Sequence, residues 1–173
     1  MHSLGIKNNE EGSNEETDVV GNFGYVYSKW HSSCFIKNQD DIGDAIKPYY
    51  GEDAGKKLSG LLRDHIMIAT EVVKAAKAGN NEELDKASKK WNANGDEIAI
   101  FLSGANPNWA KKDMTDMLYK HLELTTGEVV SRLKKDWAAD IDYYDKGHAH
   151  MLMFADMLTD GIIKQFPDKF KGK

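Results

Sequence analysis

Apolar residues return every three or four positions along most of this chain, the spacing of helices with one buried face. Leu58, Leu61, Leu62, Ile68, Ala69, Val72, Val73 and Ala76 follow that rhythm. So do Trp91, Ile98, Phe101 and Leu102, then Met114, Met117, Leu118, Leu122, Leu124 and Val129, then Ile141, Tyr144, Leu152, Ala155, Leu158 and Ile162. The pattern predicts helices over about 25–46, 52–78, 81–104, 110–135 and 137–165. Breakers separate them: Pro48, Gly79-Asn80, Asn106-Pro107-Asn108-Trp109 and Pro167. Pro48 is expected to end the first helix, because proline removes a backbone donor and disfavours helix in the residue before it. No run alternates with period two, so no sheet is expected. Short links make consecutive helices antiparallel neighbours. The predicted fold is all-α, an antiparallel bundle of about five helices over 20–170 behind a polar tail at 1–19.

Two pairs of segments read alike. Leu61-Leu62-Arg63-Asp64-His65-Ile66 resembles Met117-Leu118-Tyr119-Lys120-His121-Leu122. Asn38-Gln39-Asp40-Asp41-Ile42-Gly43 resembles Asn94-Gly95-Asp96-Glu97-Ile98-Ala99. A third, weaker copy, Asp156-Met157-Leu158, also leads to a proline, as Asp41 leads to Pro48 and Glu97 to Pro107. The chain therefore reads as repeated helical hairpins that pair His65 with Glu97 and His121 with Asp156, while Asp41 has no preceding histidine helix. An odd helix count leaves an apolar groove, and such grooves are buried by partners. The expectation is a homodimer; the aromatic segment 23–30 could fill the groove in its own or a neighbouring chain.

Composition narrows the classes. The 173 residues are 40% hydrophobic and 29% charged, with a formal charge of −5. That is ordinary for one globular domain. Scattered lysines interleaved with acids argue against nucleic acid, which selects basic patches. No apolar run reaches the ~20 residues of a membrane span. A lone Cys34 and no secretory apolar segment at the N-terminus fit a cytoplasmic protein.

Three stretches carry a resemblance: Asp40 through Gly51, Leu62-Arg63-Asp64-His65-Ile66, and Ala105-Asn106-Pro107-Asn108-Trp109. Over about 36–170 the chain is similar to a family of uncharacterised prokaryotic all-helical proteins. The resemblance implies the bundle and its repeat and brings no activity. Such relatives carry an extra N-terminal helix with its own Glu and His. This chain departs from them there, and His31, only seven residues before Asn38, does not replace that histidine. The architecture is also similar to ferritin-like bundles, by analogy alone.

The candidate chemistry is ligation. Di-metal bundles use two Glu-x-x-His motifs plus two further glutamates. The nearest match here is Asp145-x-x-His148, which argues against a standard di-iron set. A mononuclear site needs three or four imidazole or carboxylate ligands. His65, His121 and His148 fall on apolar stripes of three helices. Glu128 lies two turns from His121, and Asp41, Glu97 and Asp156 are placed to ligate or to orient the rings. A divalent transition metal (zinc, iron, nickel or manganese) or a small polar ligand is the expected occupant. The competing reading is a non-enzymatic structural or protein-interaction bundle, its buried polar groups hydrogen-bonded to fix helix register. His2, His31 and His150 read as peripheral. Phosphate loops, nucleophile elbows and Cys-x-x-Cys pairs are absent from the sequence.

Overall fold

The computed structural model describes residues 36–171. The tail at 1–19, the aromatic segment 23–30, the start of the first helix, His2, His31 and Cys34 lie outside the described residues. By its contacts the chain divides into Met1–Lys37 and Asn38–Lys173, and the bundle is the second of these.

Among the described residues there are five α-helices and no strand. α1 covers residues 36–50. α2 is Glu52–Ala78, α3 Asn81–Ala105, α4 Lys111–Leu133 and α5 Trp137–Gln165, followed by a 3₁₀ turn, Pro167–Lys169. Pro48 does not end α1. The helix runs two residues further, because proline's fixed φ is itself helical and only one backbone bond is lost. The break falls at Gly51, whose φ of 88° favours a residue without Cβ. Gly79, at φ 66°, closes α2 with backbone bonds to Ala75 and Ala76 carbonyls. Asn80 then caps α3, its side chain accepting from the Glu83 N–H at 3.1 Å. Asp136 caps α5 in the same way, accepting from the Ala139 N–H at 3.2 Å.

Each of α2 to α5 packs chiefly on its neighbour in sequence, with a smaller contact between α2 and α4. α1 crosses α2 through small residues. A Cβ added at Gly43 would overlap Ser59 and the Gly55 carbonyl, and one added at Gly55 would overlap Lys47 and the Gly43 carbonyl. Aromatic rings close the end where α1 meets the tip of α5. Tyr49 stacks on Phe170 at 5.8 Å, and Tyr50 donates to Gln165 Oε1 at 2.8 Å. Asn106, fully buried, donates to Tyr50 Oη at 2.9 Å and so ties the α3–α4 turn to that end.

The apolar core has two parts. The larger gathers Leu58, Leu61, Ile98, Leu102, Trp109, Met114, Leu118 and Phe154. The smaller holds Ile68, Val72, Ala87, Trp91 and Leu122. His65 follows Leu61 and precedes Ile68, and His121 lies between Leu118 and Leu122, so the imidazoles sit at the level where the two parts meet.

Candidate functional site

His65 on α2 and His121 on α4 meet inside the bundle, their ring centroids 5.8 Å apart and their planes 28° from parallel. His65 is 6% exposed and leans on Trp91 at 5.2 Å. Its Nδ1 lies 2.7 Å from Asn94 Oδ1. The Asn94 amide nitrogen donates to the Leu61 carbonyl at 3.1 Å. That bond fixes Asn94 Oδ1 as an acceptor, so His65 carries its proton on Nδ1. Its Nε2 is then a bare lone pair, buried and without a hydrogen-bond partner among the described residues.

The arrangement recurs one hairpin later with different residues. Leu61 lies one turn before His65, and Met117 one turn before His121. Asn94 reaches from α3 to the first of these carbonyls. His150 reaches from α5 to the second, Nε2 to Met117 O at 2.8 Å. A carbonyl only accepts, so His150 donates from Nε2. His150 is 5% exposed.

Three imidazoles thus come from α2, α4 and α5, and two of them, His65 and His121, favour the neutral form. Burial pushes the His121 pKa down to about 4, with the positive charge of His65 or His150 opposing protonation further. Burial also lowers the His65 value, against the opposing effect of its bond to Asn94.

The expected ligands divide sharply. His65 and His121 come together as the pattern foretold. His148 does not join them: it is exposed and stacks on Tyr144 at 6.3 Å. Asp41, Glu97, Asp145 and Asp156 are all exposed. Glu97 lines an open groove of about 390 Å³ between α2 and α3, together with Asp64, Glu71 and Lys90. Glu128 is half-buried and lies 3.7 Å from Arg132. Asp41, Glu97, Asp145 and Asp156 therefore sit at the surface, where a charge keeps its solvation. Among the described residues, no three of His, Cys, Asp and Glu are grouped so that they could hold a metal ion.

Two residues of the site were missed by sequence reasoning. Asn94 lies on the buried stripe Ala87, Trp91, Asn94, Ile98, Leu102, a spacing that was readable. His150 belongs to a stripe with glycine in it: Gly147, His150, Phe154, Gly161. The larger side chains of α5, Ile141, Tyr144 and Leu152, drew attention to the opposite stripe, and that one faces outward at 61%, 56% and 56% exposure. At Gly161 the glycine marks the inward side because a neighbour presses against it. A Cβ at Gly161 would overlap the Trp109 indole.

Set against known protein families, characterised proteins and solved structures, the chain matches none.

Proposed function

We propose that this helical bundle binds a small polar ligand or a divalent transition metal at the imidazole cluster formed by His65, His121 and His150. One observation carries the reading: the buried, unpartnered Nε2 of His65, on a ring whose centroid lies 5.8 Å from that of a second imidazole. An unsatisfied buried polar atom costs about 1–3 kcal/mol. A ligand that donates to it, or a metal that accepts its lone pair, removes that cost and stabilises the native state. No reaction is assigned to the site. The protein is proposed to act as a homodimer, supported by the apolar outer stripe of α5.

The test is a thermal-shift screen of the chelator-treated protein against divalent transition metals and small hydrogen-bonding anions. A ligand at about a hundred times its Kd adds about 2.7 kcal/mol, a rise of roughly 5–10 °C in Tm for a chain of this size. The rise should vanish in His65→Gln and His121→Gln. The second reading, a purely structural network, is favoured by the bonds that His65 and His150 already make. It wins if no compound raises Tm while both variants lose stability.

A further inference from the structure

We infer that the outer face of α5 pairs with the same face of a second copy, the two helices antiparallel about a two-fold axis at His148. The inference rests on the proposed homodimer and gives that partner its geometry.

The face runs along most of α5. Counting outward from His148, its positions fall four, seven and eleven residues away on both sides. Tyr144, Ile141 and Trp137 lie towards the N-terminus, and Leu152, Ala155 and Thr159 towards the C-terminus. All seven residues are exposed. At about 100° per residue, every one lies within about 40° of His148 around the helix. A two-fold interface is self-complementary: where one residue meets another, the reverse contact is also made. For two antiparallel helices this requires face positions spaced alike on either side of the axis, and the spacing about His148 is so.

Size points the same way. The N-terminal half of the face is bulky, with Trp137, Ile141 and Tyr144. The C-terminal half holds Ala155 and Thr159 beyond Leu152. Antiparallel pairing sets Ile141 against the second copy's Ala155, and Trp137 against its Thr159. Large side chains then meet small ones and the faces interdigitate. Parallel pairing would set indole against indole at one end and leave small residues facing each other at the other. Trp137, Ile141, Tyr144 and Leu152 are each more than half exposed. They carry several hundred Å² of surface per copy, so that two copies approach the ~1,000 Å² total of a specific interface. Antiparallel pairing also brings the flank holding Asp145, Asp156 and Asp160 beside the same flank of the second copy. Parallel pairing would put the two acidic flanks on opposite sides.

The test uses the full chain carrying Cys34→Ser, so that each added cysteine is alone. On oxidation, His148→Cys should cross-link to itself in more than half of the chains. Ile141→Cys and Ala155→Cys should each stay unlinked when alone, and should link to one another when mixed and left to exchange. A disulfide requires Cα atoms about 4.4–6.8 Å apart, so the links read the register directly. If sedimentation shows a dimer but Ile141→Cys and Ala155→Cys each link to themselves, or no pair links, the homodimer stands and the antiparallel arrangement falls. A wild type that sediments as a monomer overturns both. The substituted positions are all exposed, and wild-type sedimentation still decides where a variant fails to fold.

Discussion

Protonation of a single ring should tune this protein's stability. In the metal-free chain, His121 has a pKa of about 4 when folded and about 6.5 when unfolded. Above pH 6.5 both states are neutral and nothing is lost. Between pH 6.5 and about 4 the unfolded chain accepts a proton that the folded chain refuses, so stability falls with pH, by about 3 kcal/mol when the window has been crossed. His65 shifts in the same direction and adds to the loss. Urea midpoints measured at pH 7.5 and pH 4.5 should therefore differ, and His121→Gln should flatten the difference. Equal midpoints for the wild type at the two pH values would show that the ring is not held in a low-dielectric interior. Much of this residue-level picture was readable in advance. An imidazole on an apolar helical stripe, twice, at matching places, announced His65 and His121. The carboxylates misled because sequence similarity between Asn38–Gly43 and Asn94–Ala99 was read as shared orientation. In α3 the inward residue is Asn94, three before Glu97, while in α1 the buried amide is Gln39, the neighbour of Asn38. A one-residue offset turns a helical side chain by about 100°, which shifts the face that Asp41 occupies relative to Glu97.

At the scale of elements, helix ends were legible because caps have chemical signatures: Gly79, Asn80 and Asp136 each stop or start a helix where their side chains or φ values allow. Facing was less legible. α5 carries two apolar stripes, and bulk alone picks the wrong one. What decides is close approach, and glycine permits it. Gly127 on α4 takes the Tyr143 ring of α5, and Gly161 on α5 takes the Trp109 indole. A Gly161→Ala change should cost about 1–3 kcal/mol through overpacking, despite alanine's better helix propensity. Gly60→Ala, where the added methyl meets nothing within 4 Å, should instead stabilise by up to about 1 kcal/mol. Denaturant unfolding of the two variants reads opposite signs. A shared sign would mean that propensity and not packing governs both places.

For the molecule as a whole, the outer stripe of α5 matters most. Trp137, Ile141, Tyr144 and Leu152 are each 56–61% exposed, together several hundred Å² of apolar surface, comparable with the ~800 Å² that each partner brings to a standard interface. Single-chain proteins rarely leave so much uncovered, and no described helix is long and apolar enough to cross a membrane. A second copy is the expected cover. Sedimentation at rising concentration should show a dimer that Ile141→Glu weakens at least tenfold. Because Asp145, Asp156 and Asp160 border the stripe, added salt should strengthen the wild-type dimer by screening their repulsion. A strictly monomeric wild type would remove this interface. The order of the rods has its own consequence. Since each rests mainly on the one before it, most contacts join stretches close together along the backbone, and little loop-closure entropy stands against forming them. The contacts of Tyr49 and Tyr50 with the far end of the chain are exceptions, among them the stacking of Tyr49 on Phe170 and the bond from Tyr50 to Gln165, 115 positions apart. Together they work as a clasp, joining the first described rod to the tip of the last.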